Sequence, residues 1–390
     1  MHTKKILMTT SFYPPYHLGG DATHVKYLAE ALVKEGHEVH VLFSMDAYNL
    51  KRKNKSEVKT WNGVKIHILK SPLGKLEPIM NYCFGTQRYT YNYFKKLVKK
   101  EKFDVVHHHN ISLLGHKILK KIGNYKNLYT AHDYWLTCPK YDRFKFGKIC
   151  EERKNCFFCC LAHKHPYPIW WNSKDFKCVL NDIDTIIAPS EYMAKNLRNY
   201  INKEVKVIYN FVPEPKNVKS QKKYKDYFIF VGQLERHKGI LPLIEVFKEL
   251  KDKKLLAVGT GSLEKEIKDK VRNYKNIKLL GWKSQEELFP LVKDANALML
   301  PSLWGENMPL TIIESYSLGS PAIGTNLGGV PELIEKVDKN LIFDYRDFLS
   351  LKGIIENFYK KTYTEKKIKD IYEKSFSSEG YLKKYGELIK

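Results

Sequence analysis

The stretch Pro301–Glu314 constrains the fold most, because it joins a short apolar strand to a helix through a polar loop. Pro309 suits the first turn of that helix, where the missing N–H group of proline costs nothing. The first N–H groups of a helix have no partner within it and lie at the positive end of its dipole. The loop is therefore suited to bind phosphate. The anion-binding positions predicted here are Asn307, Met308, Pro309 and Leu310.

Two carboxylates flank this anion site. Glu306 lies just before the helix, and Glu314 lies within it. At a rise of about 1.5 Å per residue, the two stand on the order of 10 Å apart. That separation matches a sugar–diphosphate–ribose ligand whose phosphates lie at the helix tip, with one carboxylate near each hydroxyl-bearing end. A buried strand–loop–helix unit with two incidental glutamates is the alternative interpretation.

The length of 390 residues is too great for one compact core and indicates two α/β domains. The linker Asn210–Pro215 and the lysine-rich stretch after it predict a first domain over residues 1–210 and a second over residues 211–370. We find no apolar run long enough to span a bilayer. The first residues also lack the pattern of a signal peptide. We therefore expect a cytoplasmic protein.

The net charge of +24 predicts a polyanionic partner: nucleic acid, an anionic membrane surface or an acidic small substrate. A lysine-rich proteome is an alternative origin of the charge. We expect no nucleic-acid partner, because no helix-turn-helix, RNA-binding or zinc-finger pattern accompanies it. Residues 82–102 predict a helix whose basic face suits peripheral contact with anionic lipids, unless that face is simply solvated. Its lysines are Lys95, Lys96, Lys99 and Lys100.

The spacing Glu306-x7-Glu314 is followed by Ser317-Leu-Gly-Ser-Pro-Ala-Ile-Gly324 and Gly328-Gly-Val-Pro-Glu332. This combination resembles the donor site of the retaining nucleotide-sugar glycosyltransferases of GT-B fold, the glycosyl transferases group 1 family. The resemblance implies an α/β fold of two doubly wound, Rossmann-like domains that face each other across a cleft. It also implies that the final helix, within residues 371–390, crosses back to the first domain.

Further motifs extend the resemblance over nearly the whole chain. Gly19 and Gly20 resemble the family's glycine loop between the first strand and helix, where backbone can approach a phosphate or sugar closely. His132 follows an apolar strand and matches the family histidine that reaches the donor sugar near the reacting carbon. The alternatives are glycines that serve a tight turn and a histidine packed beside a turn.

The segment Gly232-Gln-Leu-Glu-Arg-His-Lys-Gly239 resembles the diphosphate-binding motif of the family, and Lys238 falls on its lysine. Gln233 stands where the family has arginine, which is a departure from the pattern. Either Arg236 supplies the missing charge, or the diphosphate is held with less charge.

The resemblance implies a retaining transfer of a hexose-type sugar. Glu314 would hold the ribose hydroxyls, and Glu306 would hold sugar hydroxyls or support positive charge at the anomeric carbon. His132 would orient the sugar. The departing diphosphate gains negative charge, which Lys238, Arg236 and the helix tip would stabilise without a metal. The expected donor is a UDP- or GDP-linked sugar, and the expected acceptor is a glycan or lipid-linked saccharide.

Three other classes of function fit parts of the sequence less well. A metal-dependent transferase needs an Asp-x-Asp string at the carboxyl end of a strand, whereas residues 182–184 lie at the start of a predicted strand, the opposite edge, and are interpreted as a solvated turn. A sugar-nucleotide epimerase shares the two-domain architecture and is the alternative activity. A nucleic-acid-binding module is supported by charge alone.

Six of the seven cysteines lie in an insertion predicted over residues 138–178. Cys156 and Cys159 have the two-residue spacing of a thiolate pair on one metal, and Cys138 and Cys150 could complete a tetrahedral zinc site. Free thiols or disulfides are the alternatives. Such a zinc would be structural, and we expect no cofactor for catalysis.

Overall fold

The computed structural model describes residues 2–16, 19–52, 58–150, 152–221 and 223–390. It divides the chain into two compact units. The first comprises residues 1–209 and 381–390, and the second comprises residues 210–380. The last residues of the chain thus belong to the first unit, although the whole second unit precedes them in sequence.

The first unit contains two sheets. Its strands are β1 (Lys5–Thr9), β2 (Glu38–Ser44), β3 (Thr60–Trp61), β4 (Val64–Leu69), β5 (Val105–His108), β6 (Lys126–Thr130), β7 (Phe144–Lys145), β8 (Lys148–Ile149), β9 (Thr185–Ala188) and β10 (Val205–Val207). Within the described ranges, eight strands form a sheet of order β10-β9-β6-β5-β1-β2-β4-β3, parallel except between β3 and β4. Strands β7 and β8 pair separately as an antiparallel hairpin.

The central strands of this sheet are buried along nearly their whole length, and most of their residues are apolar apart from the histidines of β5 and the polar residues of β6. Such strands are typical of parallel sheets covered on both faces by helices. From β1 the chain adds β2 and β4 on one side, and then returns to add β5, β6, β9 and β10 on the other. The strand order therefore reverses between β1 and β5, and open α/β sheets bind ligands at the carboxyl ends of strands at such a switch point.

Helices connect the strands of the first unit. They are α1 (Gly19–Lys34), α2 (Met45–Asn49), α3 (Leu76–Phe84), α4 (Arg88–Glu101), α5 (Cys156–Ala162), α6 (Lys174–Asn181) and α7 (Glu191–Arg198), with a 3₁₀ turn at His116–Leu119. Ser173 and Ser190 cap α6 and α7, since each side chain accepts a hydrogen bond from a backbone N–H group in the first turn.

The single helix predicted over residues 82–102 is wrong, because the chain breaks between α3 and α4. Gly85 and Gln87 have φ angles of 62° and 45°, which are left-handed. A Cβ atom on Gly85 would lie 2.8 Å from the ring of Trp170, so the packing of this indole requires glycine there. The four lysines of the predicted basic face all lie on α4 and are exposed.

The second unit repeats the alternation of strand and helix. Its elements are β11 (Tyr227–Val231), α8 (Ile240–Glu249), β12 (Lys254–Val258), α9 (Glu264–Val271), β13 (Ile277–Gly281), α10 (Gln285–Asp294), β14 (Leu298–Leu300), α11 (Leu310–Ser317), β15 (Ala322–Thr325), α12 (Val330–Ile334), β16 (Ile342–Phe343), α13 (Phe348–Glu356) and α14 (Glu365–Phe376). The strands pair in parallel in the order β13-β12-β11-β14-β15-β16. The order reverses between β11 and β14, which places the switch point there.

Two doubly wound α/β units confirm the predicted fold class at the level of each unit. One local expectation needs correction: Pro309 does not lie in the first turn of α11 but precedes it as the N-cap residue, with extended backbone (φ −69°, ψ 111°). Its carbonyl oxygen accepts the N–H group of Ile312 (3.2 Å). In the described ranges, none of the helices is both long and apolar enough to cross a membrane.

Candidate active site

Two loops meet at the switch point of the second sheet. The loop after β11 carries Lys238 in a 3₁₀ turn, and the loop after β14 carries Glu306. The N–H group of Leu303 donates to the carbonyl oxygen of His237 (2.8 Å), which joins the two loops. Because β11 and β14 are neighbours in the sheet, residues that are 68 positions apart in sequence lie side by side.

Two glycines allow the backbones of this site to approach closely. Gly239 has a φ of +72°, and a Cβ atom there would lie 1.7 Å from the carbonyl oxygen of Pro301. Gly328 has a φ of +64°, and its Cβ would lie 2.1 Å from the carbonyl oxygen of Glu306. That oxygen also accepts the N–H group of Gly329 (2.7 Å). Any side chain at Gly239 or Gly328 would push the loops apart.

Glu306 and Lys238 form an ion pair. The Oε1 atom of Glu306 accepts hydrogen bonds from Lys238 Nζ (2.6 Å), Ser302 Oγ (2.8 Å) and Trp304 Nε1 (2.9 Å). The ammonium group also lies 5.2 Å from the ring centroid of Trp304, within the range of a cation–π interaction. The Lys238 side chain is 22% exposed and the Glu306 side chain is 12% exposed, so the ion pair is largely shielded from water.

The ion pair keeps Glu306 charged. Burial by itself would raise the pKa of Glu306, but attraction to Lys238 and the three hydrogen bonds outweigh burial, so this pKa lies below its ordinary value. The carboxylate is therefore ionised at neutral pH and holds the ammonium group in a fixed position.

Glu314 has a different environment, in the second turn of α11. Burial raises the pKa of Glu314 to about 7, so its charge changes near neutral pH. At the start of the same helix, Met308 and Leu310 are buried. The predicted anion-binding positions therefore offer backbone groups, since their apolar side chains pack inward.

Arg236 does not join the ion pair. Its guanidinium group donates to Oε2 of Glu266 on α9 (3.2 Å), and its side chain is 74% exposed. Gln233, which stands at the arginine position of the family motif, is also exposed. Lys238 is thus the cation that the structure brings to Glu306.

Histidines lie at the switch point of the first sheet and on the strand beside it. His109 follows β5, and its Nδ1 atom lies 3.0 Å from Nε2 of His132, which follows β6. Within β5, His107 forms hydrogen bonds with the Thr130 hydroxyl (2.7 Å) and the Tyr385 hydroxyl (3.1 Å). Burial lowers the pKa of His132 to about 3, so this ring is neutral at pH 7.

The final helix, α15 (Ser378–Leu388), packs against these histidines. The rings of Tyr385 and His107 have centroids 5.4 Å apart, and those of Tyr381 and His24 lie 5.5 Å apart. Both tyrosines are buried. Residues from the end of the chain therefore support the side chains that surround His132.

Two further carboxylates belong to this region. Asp21 lies near the start of α1, and Asp133 directly follows His132. Gly19 and Gly20 begin α1 and are exposed. In the first turn, Asp21 accepts a hydrogen bond from Asn110 Nδ2 (2.7 Å). Burial raises the pKa of Asp133 to about 7, with a further contribution from Asp21, whose own pKa is also raised by burial. Sequence reasoning missed both aspartates, although Asp133 directly follows His132.

Five cysteines of the insertion line one cavity of about 20 Å³; they are Cys138, Cys150, Cys156, Cys159 and Cys160. All of them are free thiols in this structure. No three of these sulfur atoms lie within 4.8 Å of one another among the described residues, so they do not form a preassembled metal site. In the described part of the chain, the one group with three or more ligand atoms within 4.8 Å of one another is Glu38, His40 and Glu101.

Comparisons with known proteins agree with this architecture. Residues 18–214 match the family model described as Glycosyltransferase Family 4, and residues 213–375 match that of Glycosyl transferases group 1. The chain is 24% identical to an uncharacterized 42.6 kDa protein in the cps region of Klebsiella pneumoniae, over 97% of this chain and 99% of that protein. It is 26% identical to the Escherichia coli UDP-Gal:alpha-D-GlcNAc-diphosphoundecaprenol alpha-1,3-galactosyltransferase, over 65% of each chain. Sucrose-phosphate synthase from Thermosynechococcus elongatus has the same fold, with a TM-score of 0.73 and 18% identity over 99% of this chain and 98% of that chain.

Two parallel α/β units, each with polar side chains at its switch point, define the GT-B class of glycosyltransferases, as expected from the resemblance. The chain belongs to Glycosyltransferase Family 4, and its second half carries the group 1 domain. It is a nucleotide-sugar glycosyltransferase.

Sequence reasoning identified the two members of the ion pair but not the side chains that hold them. Ser302 and Trp304 stand four and two residues before Glu306 in the same loop, and both donate to its carboxylate. Their nearness in sequence to the candidate catalytic carboxylate was the one sign that a hydroxyl and an indole N–H group could bind it.

Lys238→Ala is expected to destabilise the second unit, because the Glu306 carboxylate would stay buried without its cation. Removing one partner of a buried pair costs about 3 kcal/mol, and the remaining exposure of this pair reduces that figure. Urea unfolding monitored by tryptophan fluorescence measures the loss. The double variant Lys238→Ala/Glu306→Gln should regain much of it; a double variant no more stable than the single one would contradict the assignment.

Glu314→Gln is expected to stabilise the ligand-free protein at pH 8 but not at pH 5. The pKa of Glu314 is about 7 in the folded protein, against an ordinary 4.5. The folded state thus binds the proton more tightly, and stability is lost as the pH rises from 4.5 through 7. The loss amounts to about 3 kcal/mol above pH 7. Thermal unfolding at both pH values measures it, with exposed Glu335→Gln as the control; an equal effect at both pH values would contradict this account.

Proposed function

We propose that this enzyme transfers a hexose from a UDP- or GDP-linked donor to a lipid-linked saccharide or glycan. Transfer retains the anomeric configuration and uses no catalytic metal. The Lys238–Glu306 ion pair at the switch point of the second sheet is the observation that carries the proposal. When the sugar–phosphate bond breaks, negative charge develops on the departing diphosphate, and a cation already held in place stabilises it without reorganising.

The donor diphosphate binds beside Lys238 and the start of α11. Glu306 holds the ammonium group by a 2.6 Å hydrogen bond, and Trp304 and Ser302 hold the carboxylate in turn. The start of the helix adds partial positive charge from the backbone. Arg236 contributes a second cation if it leaves Glu266. Its ion pair with Glu266 is weak, because the Arg236 side chain is largely exposed.

Glu314 binds the ribose hydroxyls of the donor. An ionised carboxylate accepts hydrogen bonds from two hydroxyl groups, whereas a protonated one has less acceptor capacity and must donate a hydrogen bond of its own. Because the pKa of Glu314 is about 7 before the donor binds, donor affinity rises as the pH increases through neutrality.

The acceptor hydroxyl attacks the anomeric carbon from the face that the diphosphate leaves. The bond from that carbon to the phosphate oxygen breaks, the bond to the acceptor oxygen forms, and the hydroxyl proton passes to the departing phosphate. His132 orients the sugar as a neutral hydrogen-bonding group, since its pKa lies near 3.

The metal-independent assignment is supported by the place of the Asp-x-Asp string. Asp184 lies at the amino end of β9, where its carboxylate accepts hydrogen bonds from the N–H group of Asn127 (2.7 Å) and from Lys121 Nζ (2.9 Å). Sugar-nucleotide sites of open α/β sheets lie at the opposite, carboxyl edge.

The acceptor class is supported by the relative from Escherichia coli, whose name gives a diphosphoundecaprenol-linked GlcNAc as its acceptor. We infer that this chain uses an acceptor of the same chemical class, a saccharide on a polyprenyl diphosphate, at the inner face of a membrane.

Lys238→Ala is expected to lower the turnover number by about 10²–10³, the usual cost of removing one group that stabilises developing charge. Exposed Lys265→Ala on α9 is the matched control and should keep full activity. Thermal-shift measurements with UDP-, GDP- and ADP-sugars select the donor, and proton NMR of the product gives its anomeric configuration. Unchanged turnover by Lys238→Ala, or inversion at the anomeric carbon, would refute the proposal.

We further propose that the cysteine-lined cavity holds one structural zinc ion, bound by Cys138, Cys150, Cys156 and Cys159. Five thiols around a single cavity of about 20 Å³ support this, because thiolates are zinc's preferred ligands in structural sites. Binding would draw the thiols together and fix the β7–β8 hairpin to α5. Cys138, whose pKa burial raises to about 11, would lose its proton to the metal.

The purified protein is expected to contain about one zinc per chain by elemental mass spectrometry. The double variant Cys156→Ser/Cys159→Ser should lose the metal and unfold at a lower temperature. Cys83→Ser/Cys178→Ser, which changes two cysteines outside the cavity, should keep both properties. A wild-type protein free of zinc after expression in zinc-supplemented medium would remove this site.

A further inference from the structure

An exposed apolar surface lies on the first unit. On α5, Phe157 is 53% exposed, and Phe158 and Leu161 are each 66% exposed, whereas Cys160 is fully buried. Residues three and four positions apart share one side of a helix, so the phenylalanines and the leucine form a single face. The inward side of this helix carries cysteines, and its outward side is apolar, which is the reverse of an ordinary surface helix.

Helix α3 and the loop before it continue this pattern. Leu73, Leu76, Ile79 and Phe84 are between 43% and 59% exposed, although Glu77 on the same helix is buried. The glutamate accepts a hydrogen bond from the Thr90 hydroxyl (3.0 Å), so a charged group points inward while apolar groups point outward.

Direct contacts connect α3 with the insertion. The N–H group of Ile169, a 66% exposed residue, donates to the carbonyl oxygen of Cys83 on α3 (3.0 Å). Phe146, on the β7–β8 hairpin, is also 66% exposed, and its ring centroid lies 4.8 Å from that of His163, just after α5. These contacts make one surface, which we call the apolar face; it comprises Leu73, Leu76, Ile79, Phe84, Phe146, Phe157, Phe158, Leu161 and Ile169.

The apolar face is unusual within this chain. Among the described residues, the large apolar side chains that are at least 36% exposed lie between positions 73 and 169. The exceptions are Trp282, Leu349 and Tyr359. Isolated apolar residues on a surface need no explanation, but nine of them on segments that contact one another mark an interaction site.

Cations border the apolar face. Lys75, Lys148 and Lys164 are exposed and adjoin it in sequence, and Lys145 lies next to Phe146. Among the described residues of the insertion near these cations, Asp142 pairs with Lys140 and Glu152 with Lys154. Aromatic and aliphatic side chains surrounded by lysine are typical of surfaces that bind anionic lipid headgroups and insert shallowly into the acyl boundary.

We propose that the apolar face docks the first unit on an anionic membrane surface, with Phe157, Phe158 and Leu161 entering the boundary between headgroups and acyl chains. This inference rests on the proposed function in one respect: a polyprenyl-linked acceptor lies in such a membrane. It differs from the surface expected from sequence, whose lysines lie on α4 rather than on α3, α5 or the β7–β8 hairpin. The insertion thus supplies the membrane-binding part of the enzyme.

The test is co-sedimentation of the full chain with vesicles of phosphatidylcholine alone or mixed with phosphatidylglycerol. Wild type should bind the anionic vesicles at low salt. Phe157→Ser/Phe158→Ser/Leu161→Ser should reduce binding by at least about tenfold, because the inserted apolar area is lost. Leu349→Ser, an equally exposed apolar residue of the second unit, should bind as wild type does. A second variant, Lys145→Glu/Lys148→Glu/Lys164→Glu, keeps the apolar side chains and should lose binding to the anionic vesicles.

Three outcomes would overturn the proposal: no binding by wild type, equal binding by the serine variant, or equal binding to neutral and anionic vesicles. A wild-type dimer that the serine variant dissolves, without vesicle binding, would assign the face to self-association instead. Transfer to a short-chain, water-soluble acceptor separates this proposal from the proposed function. The serine variant should retain that transfer while losing transfer to a long-chain acceptor in vesicles.

Discussion

The reversal of strand order in each parallel sheet is the constraint on which the candidate site depends. Neighbouring parallel strands end at the same edge, but at the reversal their following loops turn apart and leave room between them. In the second unit these loops bring Lys238 to Glu306. In the first unit the loop after β5, at the reversal, carries His109, which contacts His132 after the neighbouring strand β6. Neither pair is local in sequence, so the sheet topology alone determines that each exists. The glycines at positions 239 and 328 then permit the backbone contacts that close the second of these sites.

The two glutamates illustrate how environment separates the roles of like groups. Glu306 and Glu314 belong to one short segment, and burial disfavours the charge of both. Glu306 has a lysine and two further donors on a single oxygen, so it remains ionised, whereas Glu314 has burial without such compensation. A carboxylate with a fixed charge suits the positioning of a cation. One whose charge responds to neutral pH and to hydroxyl partners suits the reversible binding of a ribose.

Much of the fold was predictable, because parallel strands buried on both faces produce continuous apolar runs and glycine marks the turns. The family motifs also gave the two members of the ion pair. Long-range side-chain partners were not predictable: no spacing rule connects Tyr385 with His107, or Trp170 with Gly85. The break of the helix predicted over residues 82–102 had the same origin, since the indole that requires glycine there comes from a distant segment. The apolar face was hidden for a related reason, because helical periodicity reveals that a face is apolar but not whether it points inward.

The first unit is assembled from two pieces of chain, and its last piece supplies the tyrosines that cover His24 and His107. During synthesis, residues 1–209 leave the ribosome while the closing segment is still untranslated. His24 and His107 therefore lack their tyrosine contacts until residues 210–380 have been synthesised. Only then can α15 bring Tyr381 and Tyr385 to them. Loss of residues 381–390 would therefore expose His24 and His107, which lie hundreds of positions earlier in the sequence.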